Sequence, residues 1–240
     1  MTTEPNDHAT SAPASLPEDV QAAGDALSRT ELWLVRHGES EGNSSGVLQG
    51  QAEYPLSARG REQVVRLAAR LVGQHFTALY SSDLGRAVAT AKILGAAVGL
   101  PVVQDRRLRE IDIGSWSGLT FDEIAVRHPE EWSGWMRRRD PAHRRGGGES
   151  YLDLEQRIAP AMTDLAQRHP GGRLLIVSHG GSMGAYLAHV LGLPLDQLWR
   201  LSHENTGVSR VQPFTNPHTD PTIRPGRVLC INDAGHLDAR

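Results

Sequence analysis

The chain has 240 residues, of which 39% are hydrophobic and 22% charged, and its formal net charge is −3 with a pI near 6.4. This length suits one folded α/β domain with extensions. The composition gives no general electrostatic basis for binding nucleic acid or a membrane surface, so we expect neither partner.

Residues 1–29 are predicted to form a flexible N-terminal tail, and residues 30–240 the folded domain. Three prolines interrupt the tail, and only residues 18–27 have the composition of a short helix. No basic segment is followed by an apolar run, and no stretch reaches the ~18 apolar residues of a membrane span. Cys230 is the only cysteine, which excludes an internal disulfide and favours a reducing compartment. We therefore expect a cytoplasmic protein.

Strand and helix patterns alternate after the tail. The first strand contains Leu32-Trp33-Leu34-Val35 and leads into a glycine-rich polar loop over residues 38–55. The next predicted elements are a helix capped by Ser57, a strand at 77–80, a helix at 83–98, a strand at 101–103, a helical excursion at 121–139, a helix at 151–169 with Ser150 and Asp153 as capping box, a strand at 173–177, a helix at 181–191, and an antiparallel edge pair at 208–212 and 228–231, joined by a proline-rich loop. This rhythm predicts an α/β fold, a three-layer α/β/α sandwich with a mostly parallel central sheet and a small helical cap at about 120–149.

Two histidines follow the two most apolar strands. Arg36-His37-Gly38 ends the first strand, and Ser178-His179-Gly180 follows the run Leu174-Leu175-Ile176-Val177. Ligands of open parallel sheets bind outside the carboxyl ends of the strands, and a glycine there lets the backbone approach an anion closely. We therefore expect His37 and His179 to share one pocket.

Five side chains would make a phosphoryl-transfer site without a metal if they met in this pocket: Arg36, His37, Arg86, Glu110 and His179. A neutral imidazole of His37 can attack phosphorus and form a covalent phosphohistidine, which splits the transfer into two easier steps. The planar forks of the two arginines bind phosphate oxygens in pairs. His179 donates a further hydrogen bond and, as an imidazolium, adds positive charge. Glu110 protonates the departing alkoxide and then takes a proton from water, for which its carboxyl must first be protonated near neutral pH.

Other residues have simpler interpretations. Glu39 lies near His37, but no cluster of His, Asp or Cys at ligand spacing accompanies it, so we expect neither a metal nor another cofactor. Trp116 is interpreted as packing behind the Glu110 segment, and Asn205-Thr206-Gly207 as either a turn or a contact to the pocket. The remaining histidines are interpreted as structural or solvated: His8, His75, His128, His143, His169, His189, His203, His218 and His236.

Four segments, in order, resemble the motifs of the histidine phosphatase superfamily, the phosphoglycerate mutase-like family: Leu34-Val35-Arg36-His37-Gly38-Glu39-Ser40, Ser81-Ser82-Asp83-Leu84-Gly85-Arg86-Ala87, Leu108-Arg109-Glu110 with Gly114-Ser115-Trp116-Ser117-Gly118, and Ser178-His179-Gly180-Gly181. The resemblance spans residues 32–231. Ser40, Gly85 and Ser117 depart from residues common in the family, and none of these departures removes a chemical role.

The resemblance implies a role for each matching residue. His37 would be the phosphorylated nucleophile and Glu110 the proton donor. The phosphoryl group would be held by Arg36, Arg86, His179 and the adjacent Gly180, with Asn43 and Gln49 at further phosphate-contacting positions. Amide groups suit this task because they donate hydrogen bonds to a dianion without adding charge.

The family contains both phosphatases and phosphoglycerate mutases. The segment from Leu108 to Gly118 resembles the phosphatase branch, because the mutase version, with glutamate before Arg-His-Tyr-Gly and a longer insertion, is absent. We expect a phosphomonoesterase that releases inorganic phosphate from a small metabolite, either a sugar phosphate or a phosphorylated sugar acid. The alternatives are a mutase and a catalytically silent module that binds phosphorylated ligands. The sequence leaves the oligomeric state of the protein undetermined.

The predicted cap is rich in arginine and tryptophan. Such a group can attract a second anionic group of a substrate by local electrostatic steering, whereas a run of arginines such as Arg137 to Arg139 is more often a solvated face. The members of this group are Arg137, Arg138, Arg139, Arg144 and Arg145, with Trp132 and Trp135.

Overall fold

A computed structural model describes residues 30–213 and 226–238. The predicted tail at 1–29, with its short helix, lies outside these ranges, as does most of the proline-rich loop before the last strand. Within the described ranges, none of the helices is long and apolar enough to cross a lipid bilayer.

The sheet of the described residues has six strands in the order β3-β2-β4-β1-β5-β6. Strands β1 to β4 run parallel, whereas β5 pairs antiparallel with β1 and β6 antiparallel with β5. Their bounds are β1 Glu31–Arg36, β2 Ala78–Ser81, β3 Val102–Gln104, β4 Arg173–Ser178, β5 Val208–Pro213 and β6 Gly226–Asp233. The predicted mostly parallel sheet and the antiparallel edge pair are both confirmed.

The two most apolar strands lie side by side. β1 and β4 pair in register from Glu31 with Arg173 to Arg36 with Ser178. Since both strands run in the same direction, they end at the same level of the sheet. His37 and His179, the next residue on each strand, therefore leave the sheet next to each other.

Helices cover both faces of the sheet. Their bounds are α1 Glu41–Ser44, α2 Ala58–Leu71, α3 Gly85–Val98, α4 Phe121–Arg127, α5 Pro129–Arg138, α6 Tyr151–Arg168 and α7 Gly180–Leu191, with 3-10 turns at Arg106–Leu108, Gly114–Trp116, Arg145–Gly147 and Leu195–Arg200. Ser57 accepts a hydrogen bond from the Gly60 N–H at the start of α2, and Ser150 and Asp153 form the predicted capping box of α6.

Alternate residues of the central strands face the two helical layers. Leu34 and Ile176 belong to the core shared with α6 and α7, whereas Val35 and Val177 belong to the core shared with α2 and α3. All four side chains are fully buried, and each contributes about 1.5–3 kcal/mol by leaving water. The predicted three-layer sandwich is confirmed.

Two local predictions differ from the structure. The loop predicted at 38–55 contains the short helix α1, which Ser40 and Asn43 stabilise through a capping box in which asparagine takes the place of the usual glutamate or glutamine. The helical excursion predicted at 121–139 is divided into two helices, because α4 ends at Arg127 and Pro129 begins α5.

Close backbone packing holds the segment after His37. A Cβ atom on Gly60, in the first turn of α2, would overlap the carbonyl oxygen of Glu39, and one on Gly38 would lie 2.7 Å from the carbonyl oxygen of Gly60. The two glycines therefore allow the chain after His37 to lie directly on α2. This contact fixes the direction in which the His37 loop leaves the sheet.

Candidate active site

A cavity of about 410 Å³ opens at the carboxyl end of β1. Six of the eight predicted site residues line it: Arg36, His37, Asn43, Gln49, Arg86 and Glu110. The other two, His179 and Gly180, lie behind the residues that line the cavity. His179 is fully buried, with its ring centroid 5.1 Å from that of His37, and Gly180 packs against Arg36, while its neighbour Gly181 faces the cavity.

The hydrogen bonds of His37 select one tautomer. Its Nδ1 lies 2.7 Å from the carbonyl oxygen of Gly38, and because a carbonyl only accepts, Nδ1 must carry the proton. A neutral ring then has its lone pair on Nε2, to which Arg86 Nε donates at 3.3 Å. Burial lowers the pKa of His37 well below its usual range, and the charges of Arg86 and Arg36 lower it further. The structure thus presents a neutral imidazole whose unprotonated Nε2 accepts a hydrogen bond from Arg86.

His179 is held in a similar electrostatic environment. Its Nε2 lies 2.8 Å from the hydroxyl of Ser82, and its Nδ1 has no hydrogen-bond partner among the described residues. Burial, followed by the positive charge of Arg86, lowers the pKa of His179 well below its usual range. His179 is therefore neutral in the free protein, and its expected positive charge would require an anion beside it.

The two arginines differ in what they can offer to a ligand. Arg86 is almost fully buried, and its terminal nitrogens donate to the carbonyl oxygens of Gly50 at 2.7 Å and Ala52 at 2.8 Å. Both terminal nitrogens of Arg86 thus hold the loop at 50–52 and its Nε points at His37, while phosphate binding by the Arg86 fork stays a prediction. Arg36 donates from Nη1 to the carbonyl oxygen of His203 at 2.6 Å, and its Nε has no partner among the described residues.

The loop after β1 orients two amide groups. Asn43 Oδ1 accepts from the backbone N–H of Ser40 at 3.1 Å and from Asn205 Nδ2 at 3.3 Å. Ser40 Oγ lies 2.8 Å from Gln49 Oε1 and 3.0 Å from Asn43 Oδ1, and it can donate to either. With their oxygens occupied, both amides have their NH₂ groups available to a ligand.

Asn205 contributes more than a turn. Its Nδ2 also donates to the carbonyl oxygen of His37 at 3.0 Å, so the Asn205 side chain bridges His37 and Asn43. The adjacent Thr206 has a positive φ and donates its backbone N–H to the carbonyl oxygen of Arg36, as expected for a turn. The segment therefore forms a turn and also contacts residues of the pocket.

The carboxylate of Glu110 lies at the N-terminus of α7. It accepts backbone N–H bonds from Ile111 at 2.9 Å, Gly181 at 3.0 Å and Ser182 at 3.1 Å. These three bonds hold the carboxylate of Glu110 in a fixed position at the edge of the cavity. A Cβ atom at position 181 would overlap Glu110 Oε1, which explains the second glycine of Ser-His-Gly-Gly.

The cap arginines do not act as one group. Of the five, only Arg145 lines the cavity. Arg144 pairs with Asp153 at 2.8 Å, the guanidinium of Arg139 lies over the Trp199 ring, and Arg137 is exposed. The exposure of Arg137 fits the solvated-face interpretation, and Arg145 is the cap arginine that lies in position to contact a ligand. Trp116 is fully buried against Trp132 and Trp135, as expected for a packing residue.

Most of the remaining described histidines have structural partners. These are Tyr80 for His169, Glu155 for His189, Glu131 for His143 and Thr206 for His236. His203 differs, because it is 7% exposed and neither ring nitrogen has a partner among the described residues. Burial lowers its pKa from 6.5 to about 4, and the charge of Arg36 acts in the same direction.

His203 is expected to make the protein acid-sensitive. Below pH 6.5 the unfolded chain protonates this imidazole and the folded chain does not, so the free energy of unfolding falls until the pH reaches about 4. The loss attributable to His203 between pH 7 and pH 4.5 is about 2–3 kcal/mol. Urea unfolding at both pH values should show a smaller pH effect in His203→Gln than in wild type. His189→Gln is the control, and equal pH effects in wild type and His203→Gln would contradict the prediction.

In ranges 30–213 and 226–238, no three His, Cys, Asp or Glu side chains are grouped closely enough to hold a metal ion. Glu39 instead accepts a hydrogen bond from the hydroxyl of Ser57 at 2.7 Å.

The chain is similar to proteins of known family. A family model described as "Histidine phosphatase superfamily (branch 1)" matches residues 32–218. A probable phosphoglycerate mutase of Cronobacter sakazakii is 35% identical over 213 residues, which cover 87% of this chain and 95% of that relative. The solved structure of Bacillus stearothermophilus YhfR has a TM-score of 0.75 and 33% identity, covering 87% of this chain and 100% of that one. A mycobacterial glucosyl-3-phosphoglycerate phosphatase has a TM-score of 0.72 and 33% identity, covering 84% of this chain and 98% of that one.

Proposed function

Because the chain belongs to the histidine phosphatase superfamily (branch 1), we propose that it is a metal-independent phosphomonoesterase that works through a phosphohistidine at His37. One observation carries the proposal. His37 has a proton on Nδ1 and an unprotonated Nε2 beside Arg86, and it shares its cavity with the carboxylate of Glu110. A module that only binds phosphorylated ligands needs neither of these groups.

In the first step, His37 Nε2 attacks phosphorus, the N–P bond forms, and the bond from phosphorus to the ester oxygen breaks. Arg36 Nε, His179 Nδ1 and the N–H groups around Gly180 would stabilise the charge on the phosphoryl oxygens. The amides of Asn43 and Gln49 add neutral donors, and Arg86 supplies positive charge beside the reacting nitrogen.

Glu110 would carry the proton in both steps. The negative charge of an entering ester favours protonation of the carboxylate, with the proton taken from solvent or from the ester monoanion. The carboxyl group then protonates the departing alkoxide oxygen. In the second step the carboxylate accepts a proton from the attacking water, the N–P bond breaks, inorganic phosphate is formed, and neutral His37 is restored.

The phosphatase assignment rests on the segment from Leu108 to Gly118, which lacks the mutase sequence and insertion. We propose a small phosphorylated metabolite as substrate, a sugar phosphate or phosphorylated sugar acid. We also propose that residues 30–240 form the catalytic domain and that it acts in the cytoplasm, in keeping with the single cysteine. Phosphoglycerate mutase activity is the second candidate, because the Cronobacter sakazakii relative is described as a probable mutase.

Phosphate release tests this proposal directly. The purified protein is expected to hydrolyse p-nitrophenyl phosphate at the same rate with and without EDTA, and to form an acid-labile phosphoenzyme. Loss of activity with chelator would overturn the metal-independent mechanism. Transfer between positions of phosphoglycerate that depends on a bisphosphorylated primer, without phosphate release, would favour the mutase. No turnover on any phosphoester would favour the binding module.

A further inference from the structure

Arg145 is a buried cation that lines the active-site cavity. Its side chain is 6% exposed and lines the same cavity as His37 and Glu110. Its Nη2 has no hydrogen-bond partner, and no carboxylate forms an ion pair with it, among the residues that the structure describes. A buried guanidinium that lacks an acceptor is costly, since the charge has left water without compensation. The cavity therefore has a donor that a ligand can satisfy.

Two aromatic rings orient this guanidinium. Its carbon Cζ lies 4.3 Å from the centroid of the Tyr151 ring and 5.8 Å from that of Trp135. Rings interact with the flat face of a guanidinium, whereas its N–H groups lie around the edge of the plane. The edge that carries Nη2 stays available to a planar acceptor such as a carboxylate.

The turn that carries Arg145 is built against the Glu110 segment. The backbone N–H of Gly146 donates to Glu131 Oε1 at 2.7 Å, and that of Glu149 donates to the carbonyl oxygen of Asp112 at 2.8 Å. Gly146 has a positive φ, and a Cβ atom there would overlap the backbone of Ile113. Arg145 is thus held at a defined position relative to Glu110.

Apolar side chains line the cavity beside its charged end: Val47, Leu48, Ile111, Ile113 and Phe121. The cations among the lining residues are Arg36, which donates to the carbonyl oxygen of His203, Arg86, which donates to His37 Nε2, and Arg145. Arg36 and Arg86 are assigned to the phosphoryl group, so Arg145 is left for a second group of the ligand. One carboxylate would balance its charge, whereas a second phosphate dianion would need more donors.

We propose that Arg145 binds a carboxylate of the substrate, so that the physiological substrate is a phosphorylated carboxylic acid. The inference rests on the proposed phosphatase function and narrows its substrate class. The phosphate would lie against His37 while the carboxylate reaches the edge of Arg145.

Two phosphate esters that differ in one group test the proposal. 3-Phosphoglycerate carries a carboxylate where glycerol 3-phosphate carries a neutral hydroxymethyl group. Wild type is expected to prefer the acid by about tenfold to 100-fold in kcat/KM, which is the range for a charge-assisted hydrogen bond. In Arg145→Met this preference should fall to near unity, mainly through a higher KM for the acid. Arg145→Lys should keep part of it, since it retains the charge but loses the fork.

Arg137→Met is the matched control, because this exposed arginine lies on the same cap outside the cavity lining. It should keep the wild-type preference. Equal kcat/KM values for the two esters in wild type would overturn the inference. It would also be overturned if Arg145→Met lowered the Tm and slowed both esters equally, because that result is expected of a residue that only packs. Hydrolysis of p-nitrophenyl phosphate by wild type is measured in parallel. If this hydrolysis occurs but the preference for the acid does not, the carboxylate inference fails while the phosphatase proposal stands.

Discussion

Replacing His37 with asparagine is expected to lower kcat for p-nitrophenyl phosphate by at least about 10⁴-fold, because the substitution removes the atom that attacks phosphorus. The asparagine amide can still donate to the Gly38 carbonyl oxygen, as Nδ1 of His37 does. The cations around the site remain, so inorganic phosphate should still bind, with an affinity within about tenfold of wild type. Steady-state kinetics and calorimetric titration with phosphate measure the two effects.

A second readout identifies the nucleophile. Wild type, quenched in alkali during turnover of a ³²P-labelled ester, should retain acid-labile label, and His37→Asn should retain none. His189→Asn is the control, because His189 lies on α7 paired with Glu155 and does not line the cavity. Label that survives in His37→Asn would place the covalent step on another residue.

Replacing Glu110 with glutamine should produce the second largest effect, about 10²-fold to 10⁴-fold in kcat for an alkyl ester such as glycerol 3-phosphate. Only one end of the amide can accept a hydrogen bond, so at least one of the backbone N–H groups of Ile111, Gly181 and Ser182 loses its acceptor. The larger loss comes from the missing proton, because an alkoxide leaves poorly unless it is protonated.

The leaving group shows which step needs Glu110. p-Nitrophenolate leaves without protonation, so the first step in Glu110→Gln should be slowed at least about tenfold less for p-nitrophenyl phosphate than for the alkyl ester. Activation of water is still lost, and the phosphoenzyme should accumulate as a burst of p-nitrophenol equal to the enzyme concentration. Glu155→Gln is the control. An equal loss for both esters without a burst would contradict the assignment of Glu110 as acid and base.

The positions of the two histidines could be predicted because they depend on strand direction. Apolar runs before Arg36 and before Ser178 indicate buried parallel strands, and neighbouring parallel strands end at one edge of the sheet. Helix starts were equally predictable where a serine caps the first turn, as at Ser57 and Ser150. These features follow from local pattern and from a general rule of sheet geometry.

The protonation and pairing of the site could not be predicted in the same way. Glu110 is stabilised by backbone N–H groups about 70 residues away in sequence, and the fork of Arg86 binds carbonyl oxygens of the loop at 50–52. Backbone groups are the same at every position, so no residue pattern reports which of them will meet a given side chain. Arg145 was one of five equivalent cap arginines until the turn at Gly146 placed it in the cavity.

The strand order has a consequence for how the polypeptide acquires activity during synthesis. Among the strands that the structure describes, β1, which precedes His37, pairs with β4 and β5 alone, and both of these strands lie in the last third of the chain. A nascent chain that has emerged to about residue 170 therefore carries His37 on a strand with no neighbour to hydrogen-bond. The central contacts form between distant parts of the chain, which slows folding and leaves apolar β1 exposed until translation is nearly finished. Catalytic competence is thus acquired late, and the emerging polypeptide has most need of a chaperone before β4 arrives.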